Sequence, residues 1–273
     1  MRLRAERDAA VQAARRAAGA VREYAGDAGK RERKSINDYV TEADLRAQER
    51  IVTHLTATFP DYVVLAEEGP ASDGVSVVPD VPRWIIDPID GTTNFMHAVP
   101  PYAVSIALQR AERIDVAVVL EVAGGALYTA TRGGGAYRDG TPVEVSGAAE
   151  MGEALVATGF PYRSFGHLDD YVGVLKEVIR TAQGVRRQGA ASVDLARVAA
   201  GRFGAFFETG LRPWDVAAGA LLVEEAGGRV TDYRGRAAVD GEGFLFGGQI
   251  LVTGGALHEP MLALVEPMRE VRD

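Results

Sequence analysis

The sequence predicts a mixed α/β (α+β) chain: a first half dominated by an antiparallel sheet and a second half in which strands and helices alternate. Three observations carry that expectation. Between residues 102 and 138, four short apolar runs follow one another with tight Gly-rich returns, the pattern of an antiparallel meander. Beyond Pro142 the texture changes to strand-sized apolar runs separated by helical ones. Across 273 residues, 47% of the side chains are apolar, ample for one continuous core, and no repeat, long linker or low-complexity segment divides the chain. The chain is therefore read as one unit over 1–273, with sub-halves of about 1–145 and 146–273 and a crevice between them for a site.

Taken in order, Val11, Ala14, Ala18 and Val21 recur at helical spacing, giving an amphipathic helix from Leu3 to about Tyr24 that stops near Gly26 and Gly29. The charge run Lys30 to Lys34 reads as a solvated loop, basic enough to close over an anionic substrate. Asp38 to Thr41 is a short strand leading into Thr41-Glu-Ala-Asp44, a start resembling a capping box for a helix through Ile51 and Leu55 toward Pro60. Tyr62 to Ala66 is a buried strand ending in Glu67-Glu68, and Pro70 to Pro82 is a loop. Trp84 to Ile86 starts the next strand. Tyr102–Leu108, Ile114–Val122, Ala126–Ala130 and Gly135–Arg138 form the meander, with Gly133-Gly134-Gly135 in a turn. Then come a strand at Leu155–Thr158, a helix at His167–Thr181, a strand at Val185–Gln188, a helix at Ser192–Ala200 and a strand at Phe203–Glu208. Trp214-Asp215 opens a helix behind Pro213, Gln249–Thr253 is the last strand, and Ala256–Met268 the terminal helix.

Composition narrows the function. Thirty Lys and Arg against 38 Asp and Glu leave −8, which disfavours nonspecific attraction to nucleic acid or to an anionic membrane. The absence of cysteine excludes disulfides, thiolate zinc sites and a cysteine nucleophile. His54, His97, His167 and His258 are too scattered for a histidine-based metal motif. The start Met1-Arg-Leu-Arg lacks a signal-peptide core, and no apolar run approaches a membrane span, so a cytoplasmic location is expected.

The most informative stretch is Trp84-Ile-Ile-Asp87-Pro-Ile-Asp90-Gly-Thr-Thr-Asn94, where a buried strand is ended by acids. Carboxylates that close repel one another unless a cation lies between them, and Asp87, Asp90 and the Ile89 carbonyl offer three oxygens suited to Mg²⁺. The amides from Gly91 to Thr93 then form a possible anion cradle. Acids also end the strands at Glu67 and Glu208 and start the helix at Asp215, and if they converge, two or three Mg²⁺ ions would bind both the attacking water and a phosphoester. Asp87-Pro-Ile-Asp90-Gly-Thr92 resembles a D-x-D-x-T aspartyl nucleophile only superficially. With two residues between the acids, strand alternation would not aim both side chains from one strand end, which favours water over a covalent phospho-aspartate. The spacing fails for an EF-hand, and no G-x-S-x-G elbow supports a serine triad.

These residues resemble the inositol monophosphatase family. Trp84 to Phe95 is similar to that family's first signature, and Trp214-Asp215-Val-Ala-Ala-Gly219 with Glu224-Glu225-Ala-Gly-Gly228 to its second; the likeness runs from the first helix to the last. It implies a layered α-β-α-β-α sandwich, antiparallel in the first sheet and mixed in the second. It also implies a Mg²⁺-dependent, lithium-sensitive phosphomonoesterase that forms a homodimer and acts on a small phosphate ester. By the same resemblance Glu67, Asp87, the Ile89 carbonyl, Asp90 and Asp215 would ligate metal. Asp44 and Thr92 would orient and deprotonate the water, with Glu67 assisting. The amides of Gly91 and Thr92 would hold phosphate, while Gly189-Ala190-Ala191 and Glu208 would line the space for the alcohol. Lys34 lies near the family's mobile-loop lysine.

Gly91-Thr92-Thr93-Asn94-Phe95 looks like the inositol branch, where relatives acting on nucleotide bisphosphates or histidinol phosphate tend to read Gly-Thr-Lys. Inositol 1-phosphate or a similar polyol phosphate is therefore the expected substrate, with fructose 1,6-bisphosphate or histidinol phosphate as alternatives. A reading from another class is a partner-binding scaffold with incidental phosphatase activity. A structural ion site without catalysis fits less well, because Thr92 and Asp44 beside Asp90 exceed what holding an ion requires.

Overall fold

The structure is a computed structural model that describes residues 3–26, 31–35, 38–68, 81–161, 165–237, 245 and 247–271. Its outer layer is a helix pair, α1 (Arg4–Glu23) and α2 (Glu42–Thr58). Ala10, Ala13, Ala14, Ala17, Ala18 and Val21 make one buried stripe along α1, and such small side chains let α2 approach closely through Ala43, Ala47, Ile51 and Leu55. Between these helices a hairpin forms from β1 (Arg31–Ser35) and β2 (Asp38–Thr41).

Beneath the helices lies a seven-stranded sheet built in chain order from β3 (Val63–Ala66), β4 (Arg83–Asp90), β5 (Ala103–Arg110), β6 (Arg113–Glu121), β7 (Leu127–Thr131), β8 (Ala136–Arg138) and β9 (Thr141–Pro142). Every pair is antiparallel except β3 and β4, which run parallel. Trp84, Ile86, Val104, Ile106, Val116 and Val118 face the α1–α2 pair. Ile85, Ala103, Ala107, Ala117 and Val119 face the opposite way. Burial on both faces explains why these strands read as unbroken apolar runs rather than as alternation.

The second sheet contains β10 (Leu155–Thr158), β11 (Gly184–Arg186), β12 (Ala205–Thr209), β13 (Arg229–Thr231) and β14 (Gln249–Thr253), in the spatial order β11-β10-β12-β14-β13. It is mixed: β10 is parallel to β11 and β12, while β14 is antiparallel to β12 and β13. Helices α5 (Ala191–Ala199) and α6 (Pro213–Glu225) fill the space between the sheets, and α6 is apolar nearly all round because it is covered on every side. Helices α4 (Leu168–Thr181) and α7 (His258–Val265) cover the far face, packing on Val156, Phe207 and Leu251. The expected α-β-α-β-α layering is present. Among the described residues, no helix is long and apolar enough to cross a membrane.

Several expectations need correction. Residues 31–34 of the charge run form part of strand β1 rather than a loop; Lys30 lies outside the described residues. The pairing with β2 is made by backbone groups while Arg31, Glu32, Arg33 and Lys34 stay exposed, so no apolar face betrays the strand. The terminal helix is shorter than 256–268, with 3₁₀ turns at Gly255–Leu257 and Glu266–Met268 on either side of α7; Pro267 lacks the N–H that an α ladder needs. The turn after Asp90 contains a short helix, α3 (Thr92–Met96), and strands β9 and β13 were also unexpected. Most of the loop expected at Pro70 to Pro82 lies outside the described residues.

Candidate active site

After Arg83, strand β4 carries the apolar side chains of Trp84, Ile85 and Ile86 until Asp87, and there the pairing with β5 slips. Asp87 stands opposite Ser105 and Asp90 opposite Ala103, so three steps on β4 match two on β5. This bulge absorbs one residue, at Pro88-Ile89, where proline has no N–H to lose from the ladder. The spacing that breaks strand alternation is thereby compensated, and both carboxylates turn to the same side. That corrects the expectation from spacing alone. Asp87 Oδ1 accepts the Ile89 N–H at 3.0 Å, which holds the turn closed.

A third acid arrives from the other half of the chain. Pro213 begins α6, and Asp215 Oδ2 accepts the Arg212 N–H at 2.7 Å, so the carboxylate is fixed at the helix start. Ser105 Oγ donates to the Trp214 carbonyl at 3.2 Å and ties this end of α6 to β5. The result is a cluster in which ligand oxygens of Asp87, Asp90 and Asp215 all lie within 4.8 Å of one another. Burial raises the Asp87 carboxyl well above its ordinary value, and Glu67, Asp90 and Asp215 push it further. Burial likewise raises Asp90 to about 6, against the stabilising hydrogen bonds of Ser192. Ser192 at the start of α5 gives Asp90 Oδ2 its N–H at 2.7 Å and its hydroxyl at 2.5 Å.

Asp44 approaches from α2. Its Oδ2 accepts the Thr41 N–H at 2.8 Å and the Thr41 hydroxyl at 2.5 Å, the capping box legible in the sequence. Its Oδ1 faces Thr92 Oγ1 at 3.2 Å, and that hydroxyl is also 3.0 Å from the Ile89 carbonyl. Desolvation raises Asp44 to about 6, opposed by the Thr41 hydrogen bonds and aided by Glu67. The carboxyl is thus buried, oriented and readily protonated.

Glu67, Asp87, Ile89, Asp90, Gly91, Thr92, Gly189, Ala190, Ala191, Glu208 and Asp215 all line one cavity of about 460 Å³, together with Tyr39, Asn94, His97 and Arg187. Every candidate residue read from the sequence except Asp44 reaches its wall, and Asp44 lies directly behind Thr92. Gly91 has φ +90°, and a Cβ there would approach the Gly189 carbonyl at 3.1 Å and the Ala190 Cβ at 3.2 Å. Only glycine turns the chain here and lets the two loops meet. Lys34 Nζ bonds to Glu68 at 2.5 Å and lies 3.4 Å from Glu67, which attaches the β1–β2 hairpin to the acidic end of β3. Burial raises the Glu208 carboxyl well above the usual range, with Asp194 and Asp215 adding to it.

The sequence profile of the inositol monophosphatase family matches residues 3–270. The chain belongs to the inositol monophosphatase family. It is 43% identical over 226 residues to the Nus factor SuhB of Pseudomonas aeruginosa, covering 82% of this chain and 81% of that protein. It is 40% identical over 223 residues to the inositol-1-monophosphatase of Mesorhizobium japonicum, with coverage of 82% and 81%. Among solved structures, the extragenic suppressor protein SuhB of Bartonella henselae superposes with a TM-score of 0.86 at 34% identity, over 95% of this chain and 97% of that one.

Several residues that shape or support this family member's cavity escaped the sequence reading. Ser192 was read only as the start of a helix, and its hold on Asp90 spans 102 positions of sequence. Asn94 joins the halves by donating to the Pro101 carbonyl at 2.8 Å and the Gln188 carbonyl at 2.7 Å. Gly159 makes room for Glu208, since a Cβ there would lie 1.9 Å from the carboxyl carbon. No local signal marks any of these, because their partners come from distant segments. Conversely, Glu224 and Glu225, inside the second signature, do not line the cavity. Glu224 pairs with Arg132 at 2.6 Å, and Glu225 accepts the N–H groups of Gly133 and Gly135.

Proposed function

We propose that this protein is a Mg²⁺-dependent phosphomonoesterase that hydrolyses inositol 1-phosphate or a similar polyol phosphate with water as the nucleophile. The observation that carries the reading is the convergence of Asp87 and Asp90 with Asp215, more than a hundred residues later, to within 4.8 Å. Asp87 and Asp90 are buried and Asp215 half-buried, their mutual repulsion adds to the cost of burying charge, and their all-oxygen donor set fits a hard divalent cation. Asp87, Asp90, Asp215, Glu67 and the Ile89 carbonyl would hold two or three Mg²⁺ ions. When bound, Mg²⁺ lowers the pKa of water and offsets charge on the phosphate oxygens.

The chain's own residues do the rest. Thr92 Oγ1, 3.2 Å from Asp44 Oδ1, accepts a proton from the attacking water as its own passes to Asp44. Asp44, raised to about 6, is ionised at neutral pH yet more basic than an ordinary aspartate, so it takes that proton and passes it on to solvent. Glu67 assists from beside Asp87. The N–H groups of Gly91 and Thr92, at the free start of α3, orient the phosphate. Glu208 and the turn Gly189-Ala190-Ala191 accept and shape the alcohol, whose oxygen takes up a proton from solvent water as the ester P–O bond breaks and orthophosphate forms. The halves about 1–145 and 146–273 act as one unit in this reading, because each supplies part of the acid set. A homodimer and inhibition by lithium follow from the family resemblance, and a cytoplasmic location is proposed with them; light scattering, lithium titration of the rate and cell fractionation measure each.

The test is phosphate release from inositol 1-phosphate, fructose 1,6-bisphosphate, histidinol phosphate and a nucleotide bisphosphate. Inositol 1-phosphate is expected to be turned over with Mg²⁺ and not with chelator, and Asp90→Asn to abolish nearly all turnover. Full activity in that variant, or inactivity of the wild type on all four esters, overturns the reading.

A second reading rests on the 43% identity to a protein called a Nus factor: a macromolecular partner is bound alongside the enzymatic role. The −8 net charge favours a protein partner over bare nucleic acid. Stoichiometric capture of a defined partner by the Asp90→Asn protein supports it, and a monodisperse, unaccompanied protein at cellular concentration argues against it.

A further inference from the structure

The cavity wall is acidic on nearly every side, with Glu67, Asp87, Asp90, Glu208 and Asp215 around it, and among the described lining residues its one Arg or Lys is Arg187. Arg187 follows strand β11 and is exposed, so nothing in the core requires it. Its guanidinium carbon lies 5.4 Å from the centre of the Phe160 ring, itself 46% exposed. Its Nη1 would be 2.5 Å from a Cβ built on Gly189, so the group lies over the turn that lines the alcohol side. It is also close enough to Glu208 to pull that carboxyl's pKa down against the push of burial.

Among the described residues Arg187 donates no hydrogen bond to a protein acceptor and makes no ion pair. A guanidinium carries five N–H donors, and here a cation–π contact orients the group while its donors remain available. The neutral hydroxyls of a simple polyol need only an acceptor such as Glu208. A cation beside that acceptor has a different use, because a planar fork of N–H groups matches phosphate oxygens two at a time.

We infer that Arg187, steadied by the Phe160 ring, forms a second anion subsite that selects polyol or sugar phosphates carrying another phosphate on the alcohol portion. The inference rests on the phosphatase reading above and deepens it. Cations at the crowded acids would serve the phosphate being cleaved. Arg187 serves the one that is kept, and the bond broken and the products are unchanged.

The experiment compares kcat/KM for fructose 1,6-bisphosphate with that for inositol 1-phosphate in the wild type, Arg187→Gln, Arg187→Lys, Phe160→Leu and the control Arg186→Gln. Arg186 is exposed, its side chain bonds, among the described residues, to the Val185 carbonyl at 3.0 Å, and it does not line the cavity, so it reports the general effect of removing a nearby charge. Arg187→Gln is expected to lower the bisphosphate-to-monophosphate ratio roughly ten-fold or more, mainly through KM of the bisphosphate. Arg187→Lys recovers part of the ratio, Phe160→Leu lowers it less, and Arg186→Gln leaves it near the wild-type value. The wild-type rate on the bisphosphate also falls more steeply with added salt than the rate on the monophosphate. Equal losses on both substrates in Arg187→Gln place the guanidinium on the cleaved phosphate and overturn the inference, as does an unchanged ratio. Absence of turnover of either ester by the wild type is a different failure, that of the phosphatase reading itself.

Discussion

The two ends of helix α6 put carboxylates to opposite uses. At its start, Asp215 closes the helix by accepting the Arg212 N–H, and from its half-buried place it faces Asp87 and Asp90, two buried acids. At its end, Glu224 meets the guanidinium of Arg132 at 2.6 Å, and Glu225 takes the Gly133 and Gly135 N–H groups at 2.8 and 2.9 Å. A helix start favours negative charge and a helix end opposes it, so acids at the far end need their local donors. The near end gathers acids beyond what any helix dipole can accommodate. Where the fold needs an acid only for support it supplies a protein partner; where it crowds Asp87, Asp90 and Asp215 together, their ligand oxygens lie within 4.8 Å of one another and the neighbouring acids add to the burial that raises Asp87.

The largest effect that breaks this contrast is expected in Asp215→Asn. Asparagine still caps the helix, but one charge leaves the cluster, and phosphate release should fall by about 10²–10³-fold or more. The melting temperature in chelator should hold or rise, since Asp87 loses a repelling neighbour. Adding Mg²⁺ should stabilise the wild type well and the variant little. Loss of activity together with a large drop in melting temperature would show that the start of α6 is structural, like its end.

His258 provides an intermediate case, a buried ionisable group that the fold keeps uncharged. Its ring sits between Thr231 at 3.1 Å and Thr253 at 2.9 Å, and burial, with Arg229 nearby, lowers its pKa to about 4. The folded value is below the ordinary 6.5, so the associated stability is complete above pH 6.5 and is lost as the pH falls toward 4. The loss amounts to about 3 kcal/mol at full protonation. Denaturant midpoints at pH 7 and 4.5 should separate more for the wild type than for His258→Asn, and parallel curves would refute the assignment.

A smaller effect is expected at the far end of α6. Glu225→Ala removes the acceptor of two turn N–H groups and should cost about 1–2 kcal/mol, with kcat/KM on inositol 1-phosphate unchanged. A large loss of activity there would join the second signature's acids to the site and erase the contrast.

The sequence by itself determined most of the element order, apart from β1, α3, β9 and β13, and named the acids that the structure gathers at the cavity. Strand periodicity, the Thr41–Asp44 cap and the Pro213–Asp215 helix start are local patterns, and a local pattern is complete within a few residues. It did not disclose β1, whose exposed charges conceal a backbone pairing, nor the bulge that turns Asp87 and Asp90 to one side. Ser192 on Asp90, Asn94 between two loops, the space Gly159 leaves for Glu208 and the place of Arg187 over the Gly189 turn all waited for the tertiary structure. Each depends on where remote segments come to rest, and spacing along a chain holds no information about a partner supplied by another layer of the sandwich. Residue type therefore announced the chemistry, while packing between the two sheets decided which acids share a cavity and which are neutralised by the protein itself.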